Sequence, residues 1–147
     1  MLAGRPLRLA CVEIEFERGP LGHSDGDAAA HAICDALLGA AGLGDMGRFF
    51  PSSDARWKGA DSKVFLGEVA RLLAAAGVVP INIDVTVVLE RPRLSPHLAA
   101  MRAAVAKALG VAAERVSVKA KSADGLGPVG SGEAVEARAV ALVEAKD

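Results

Sequence analysis

Apolar and polar positions alternate from Leu7 to Phe16, but the alternation changes phase on the way. Leu7, Leu9 and Cys11 share one parity, and Val12, Ile14 and Phe16 share the other. Successive strand residues face opposite sides, so the phase change predicts two short strands or a bulge near Cys11. Gly19-Pro20 ends the segment, and His23-Ser24-Asp25-Gly26-Asp27 is turn and helix-capping chemistry. Ile33, Leu37 and Ala41 recur at helical spacing and predict a helix over Ala28–Ala41. Gly42, Gly44 and Gly47 end it and open a long irregular stretch to Gly59, a length typical of functional or mobile loops. A second helix is expected from Asp61, capped by Asp61 or Ser62, to Ala76 before Gly77. Ile81 to Glu90 is the clearest strand, with Ile81, Ile83, Val85, Val87 and Leu89 on one face. Ser95-Pro96 predicts a third helix, capped by Ser95 and ending at Leu109 before Gly110. Val116–Ala120 reads as a strand and Gly125–Gly132 as a glycine-rich connection. Ala134–Val143 reads as a closing strand, with helix as the alternative. The sum is an α/β (mixed α+β) chain: a single layer of mixed β-sheet backed by helices, one domain over 1–147.

Composition sharpens the class. The 147 residues are 52% hydrophobic, enough for a packed core, yet only 3% are aromatic and 30 are alanine. Small side chains bury little area each, so contact with further subunits would add needed burial. Seventeen Lys and Arg against 18 Asp and Glu leave no basic footprint for nucleic acid. The longest uncharged run, Leu72–Ile83, is 12 residues and contains Pro80, too short to cross a bilayer. The first residues match neither a signal nor a transit peptide. Cys11 and Cys34 lie far apart without paired-ligand spacing and read as reduced, packed thiols, which points to a cytoplasmic protein.

Chemistry concentrates in a few segments. Gly42–Gly47 and Gly125–Gly130 both match G-x-G-x-x-G, but neither sits between a strand and a helix as a dinucleotide site requires. No phosphate-binding lysine loop, nucleophile elbow or H-E-x-x-H pattern occurs. Asp27, His31 and Asp35 are spaced four apart, placing carboxylate, imidazole and carboxylate on one helix face. That face could hold a divalent cation, or Asp35 could orient a ligating His31. Alternatively Asp25 and Asp27 cap the helix and His31 is an ordinary half-buried histidine. Ser52-Ser53-Asp54 and Lys121-Ser122-Ala123-Asp124 bring hydroxyl, lysine and carboxylate groups suited to a phosphate and its metal ion.

The segments HSDGDAAAHAICDALLGAAGLGDMGRFF, DARWKGADS, VLERPRLSPH and VKAKSADGLG together resemble the 2-C-methyl-D-erythritol 2,4-cyclodiphosphate synthase family from Leu7 to Val143. The resemblance implies a homotrimer with active sites between subunits. It implies cyclisation of 4-diphosphocytidyl-2-C-methyl-D-erythritol 2-phosphate with release of CMP, in the non-mevalonate route to isoprenoids. His31 matches a zinc ligand, and Asp124 stands where a second cation, magnesium or manganese, is bound. His23 and Ser122 match the pair that stabilises the transition state. Ser24 falls beside the substrate. Asp45, Met46 and Gly47 match the stretch contacting the erythritol unit, and Phe50, Pro51, Ser52, Ser53 and Asp54 match the substrate loop that follows. Leu89, Glu90, Arg91, Pro92, Arg93, Leu94 and Ser95 match the segment holding the cytidine, with Lys121 and Ala123 also at the substrate. The partners implied are the diphosphocytidyl substrate and two further copies of the chain, with neither nucleic acid nor membrane, in a bacterial cytosol. An N-terminal strand of the family carries aspartate, a spacer and histidine, the remaining zinc ligands. Nothing equivalent precedes Leu7, so the chain is expected to be shortened there relative to the family. Two other readings follow: a shortened, non-catalytic trimer that binds cytidine nucleotide, and a metal-dependent phosphohydrolase built on Asp27, His31 and Asp35.

Overall fold

A computed structural model describes residues 1–146. The chain runs β1 (Leu2–Ala3), β2 (Leu7–Leu9), β3 (Val12–Ile14), β4 (Arg18–Gly19), α1 (Ala28–Ala40), α2 (Met46–Phe49) and α3 (Ser62–Ala75). It continues with β5 (Val78–Val88), α4 (Leu98–Leu109), β6 (Val116–Lys121), α5 (Gly127–Gly130) and β7 (Glu136–Ala145). The fold is mixed α/β, as expected, but the strands divide among three sheets rather than one layer. β1 pairs with β4, β2 with β3, and the main sheet has the order β6-β5-β7. In it β5 runs parallel to β6 and antiparallel to β7. Helix α1 packs on β7 and β5, α4 packs on β6, and α3 lies between the two helices and touches β5.

The phase change near Cys11 is a two-residue hairpin turn, not a bulge. Ala10 and Cys11 both take left-handed backbone conformations, with φ of 49° and 66°. Such φ values suit the right-handed twist of a tight hairpin but crowd the Cβ of an L-residue. The fully buried Asp27 offsets that cost. Its carboxylate accepts the N–H groups of Ala10 at 2.8 Å and Cys11 at 2.7 Å. It also accepts the N–H of Ala30 at 2.9 Å and so caps α1.

Strand β5 departs from strict alternation where Pro80, which has no N–H to donate, brings a register shift between Pro80 and Asn82. Ile81 drops out of the pairing with β7, so it leaves the predicted row. Ile83, Val85 and Val87 are fully buried beneath the helices. The opposite face carries Asp84, ion-paired to Lys119 at 2.7 Å, and the exposed Val140 and Leu142 of β7.

Other boundaries shift for local reasons. Ser95-Pro96-His97 forms a 3-10 turn, the Ser95 side chain caps nothing, and α4 begins only at Leu98. The stretch from Gly42 to Gly59 is not wholly irregular. It holds α2, capped by Asp45, and a 3-10 turn over Ala55–Trp57, capped by Asp54. The closing segment is a strand from Glu136 to Ala145, two residues later at each end than expected, which removes the helical alternative. The β1–β4 pair was not foreseen, because two-residue strands carry no periodicity. No helix among the described residues is long and apolar enough to cross a membrane.

Candidate functional site

Two clefts hold most of the predicted site residues. The first, about 470 Å³, opens beside the start of α1 and is lined by His23, Ser24, His31, Asp35, Met46, Gly47, Phe50 and Ser52. Its shape follows from capping. Asp27 starts α1, and His31 comes one turn later with its imidazole edge-on to Phe65 at 5.7 Å. Ser24 Oγ and His31 Nε2 share a hydrogen bond of 3.1 Å. Asp25 fixes the 23–27 turn by accepting the N–H of Asp27 at 3.2 Å and of Ser62 at 2.6 Å. Asp35 accepts the N–H of Met46 at 2.8 Å and so ties the first turn of α2 to the face that carries His31. Phe50 meets Trp57 and Phe65 edge to face, and Trp57 lies tilted against Phe65, forming the apolar wall with centroids 5.0 to 5.5 Å apart.

The carboxylate–imidazole–carboxylate face is not a metal site. Asp27 is fully buried with both oxygens occupied by backbone N–H groups, and Asp35 holds α2. This corrects the Asp27, His31 and Asp35 ligand set and, with it, the phosphohydrolase built on those three residues. Among the described residues no three His, Cys, Asp or Glu side chains are close enough together to hold a metal ion. A protein zinc site takes at least three protein ligands, and His31 supplies one, so the described residues do not complete one.

The second cleft, about 820 Å³, lies at the carboxyl ends of β5 and β6 and is lined by Phe16, Leu89 to Ser95, Ala120, Lys121 and Ser122. Ligands gather at such strand ends in α/β sheets, where loops diverge from a rigid edge. Arg91, Arg93 and Lys121 give it positive charge, and Leu89 N–H donates to the Lys121 carbonyl at 2.9 Å. Beside it, the Ser122 hydroxyl donates to Asp124 Oδ1 at 2.9 Å. Asp124 is exposed, with its other carboxylate oxygen open. A magnesium or manganese ion needs only one or two carboxylates when phosphates supply the rest, so this residue fits that role.

The structure does not gather every predicted residue. His23 lines the first cleft and Ser122 the second, and no residue lines both. Asp45, Pro51, Ser53, Asp54, Ala123 and Asp124 line neither cleft. Asp54 is held by a two-pronged pair with Arg56, whose side-chain hydrogen bonds keep its carboxyl below the usual range. Sequence reasoning missed Phe16, Trp57 and Phe65 as lining groups. Only the uniqueness of Trp57 in the chain singled any of them out.

These features define an α/β protein with one imidazole-bearing cleft and one basic cleft. A family model for the YgbB family matches residues 1–144. The 2-C-methyl-D-erythritol 2,4-cyclodiphosphate synthase of Verminephrobacter eiseniae is 56% identical over 145 residues, covering 97% of this chain and 79% of that protein. The bifunctional enzyme IspD/IspF of Albidiferax ferrireducens is 54% identical over 143 residues. There the chain spans about a third of the relative's length, 34%, against 97% of its own. A solved 2C-methyl-D-erythritol-2,4-cyclodiphosphate synthase bound to CDP superposes with a TM-score of 0.88 at 41% identity, covering 97% of this chain and 93% of that one. The chain belongs to the YgbB family. It is accordingly a lyase of non-mevalonate isoprenoid biosynthesis that cyclises the CDP-methylerythritol phosphate. The family is metal-dependent as a class.

Proposed function

We propose that 4-diphosphocytidyl-2-C-methyl-D-erythritol 2-phosphate binds across a subunit boundary of a homotrimer. Its cytidine occupies the basic cleft of one protomer, and its erythritol phosphate occupies the His31 cleft of the next. One observation carries this reading: His23 and Ser122, the expected transition-state pair, lie in separate clefts that share no residue. A second copy is the simplest way to bring them to one phosphate.

Within that arrangement Leu89 to Ser95, Lys121 and Ala123 hold the nucleotide. Asp45 to Gly47 and Phe50 to Asp54 flank the erythritol unit. His31 and Ser24, already hydrogen-bonded to each other, face a phosphate oxygen. An oxygen of the 2-phosphate bonds to the β-phosphorus and closes the ring. The bond from the β-phosphorus to the bridging oxygen breaks, and its electron pair leaves on CMP. No protein nucleophile is required. Catalysis is positioning plus hydrogen bonds from His23 and Ser122 to oxygens that gain charge. Asp124 would hold a magnesium or manganese ion, which would supply charge neutralisation to the phosphates. The buried thiols Cys11 and Cys34 suit a reducing bacterial cytosol.

The test is incubation with the diphosphocytidyl substrate and Mg²⁺, followed by ³¹P NMR, with sedimentation run in parallel. A cyclic diphosphate, CMP and a trimer are expected. Inorganic phosphate as the product, or CDP binding without cyclisation, overturns the reading.

A further inference from the structure

The loop from Ser122 to Gly125 carries both Ser122 and Asp124, and Asp124-Gly125 forms the centre of a tight turn closed by the Leu126 N–H donating to the Ala123 carbonyl at 2.9 Å. Asp124 sits at a φ of 51°, a left-handed conformation that aspartate tolerates in such a turn, but the turn alone does not fix where it sits relative to the basic cleft. A non-local contact comes from Glu90, 33 residues before Ala123 in the chain. Glu90 Oε2 accepts the N–H of Ala123 at 3.2 Å and that of Gly125 at 3.5 Å. One carboxylate oxygen therefore grips the backbone on both sides of Asp124. Glu90 is itself within the segment that lines the basic cleft, where it is half-buried.

We infer that Glu90 is a positioning residue that aims the Asp124 carboxylate at a divalent cation and thereby links cation binding to nucleotide binding in the basic cleft. The inference rests on the proposed function, in which Asp124 takes that cation and residues 89–95 hold the nucleotide. Its physical basis is that a left-handed aspartate in an untethered loop would visit several backbone states. Only a fraction of them would present the carboxylate to a phosphate-bound ion, and apparent affinity falls by that fraction. Because coupling between two ligands is reciprocal, Glu90 makes each ligand tighten the other. The bridge also explains why the cytidine segment has an acidic side chain amid Arg91, Arg93 and Lys121: its partner is backbone rather than substrate.

The experiment is calorimetric titration of CDP into the protein, in Mn²⁺ and separately in EDTA, for wild type, Glu90→Ala and Glu90→Gln. In wild type Mn²⁺ tightens CDP. In Glu90→Ala the ratio of the CDP affinities in Mn²⁺ and in EDTA, which measures the tightening whatever the affinity in EDTA becomes, shrinks about tenfold, as expected for one lost charge-assisted hydrogen bond. Glu90→Gln keeps an acceptor oxygen in place and restores most of the tightening. This rescue decides the case should the alanine variant fold poorly. Full tightening in Glu90→Ala overturns the inference, as does a glutamine variant as weak as alanine. Wild type that binds CDP without any effect of Mn²⁺ also overturns it, while leaving the nucleotide reading standing. Wild type that binds no CDP overturns the proposed function itself.

Discussion

Replacing Asp27 by asparagine changes one atom of a side chain that never meets solvent. Asp27 Oδ1 serves Ala10 and Ala30, and Oδ2 serves Cys11. An asparagine can keep its oxygen toward the first pair only by turning its NH2 group toward the N–H of Cys11, donor against donor. The substitution thus loses one charge-assisted hydrogen bond and leaves a buried donor unpaired, together about 3–5 kcal/mol. The left-handed turn at Ala10 and Cys11 also loses the group that holds it. For a chain of this size the loss corresponds to a fall in Tm of roughly 10–15 °C. Urea and thermal unfolding, followed by circular dichroism at one fixed protomer concentration, measure it, because any self-association makes stability depend on concentration. Asp45→Asn, an exposed cap, is the control and is expected to cost about 1 kcal/mol or less. A D27N variant within about 1 kcal/mol of wild type would refute the cradle as the device that joins the hairpin to α1.

Three further outcomes follow from the same geometry. Asp35→Asn weakens the tie to Met46 and loosens α2, so KM for the substrate rises about tenfold while the unfolding midpoint barely moves, because the bond is solvent-exposed; steady-state kinetics beside urea unfolding checks this. A Cβ at Gly130 would overlap the backbone of Gly125, so Gly130→Ala displaces the 122–130 loop; Mn²⁺ binding in the presence of CDP is expected to collapse, and normal binding would contradict the packing of α5 on that loop. Burial pushes the Cys11 thiol from its ordinary 9.0 up to about 12 and raises Cys34 as well. The unfolded thiols ionise first, so this contribution to stability is complete below pH 9 and is lost as pH climbs toward 12. The urea midpoint should fall across that window and fall less in Cys11→Ala.

Much of the site was readable because its residues are local. The capping residues Asp27 and Asp61 lie within a few residues of N–H groups they accept, so sequence alone places them at helix starts, whereas Asp45 and Asp54 cap elements too short to show a period. The inner row Ile83, Val85 and Val87 is likewise visible, since strand alternation is a short-range property. Ile81 broke that row because Pro80, one residue away, altered the pairing with a strand some sixty positions later.

The sequence by itself determined the longer helices and most of the strands, their inward faces and many of the polar groups of the two clefts, because period, capping and chain-breaking act over a few residues. Tertiary structure decided which of those groups meet. Asp27 reaches back to Ala10 and Cys11 and is withdrawn from any metal, and Glu90 reaches forward to Ala123. His23 and Ser122 stay in different clefts. Such pairings depend on how separate elements pack, and no periodicity in one stretch of chain encodes its distance from another.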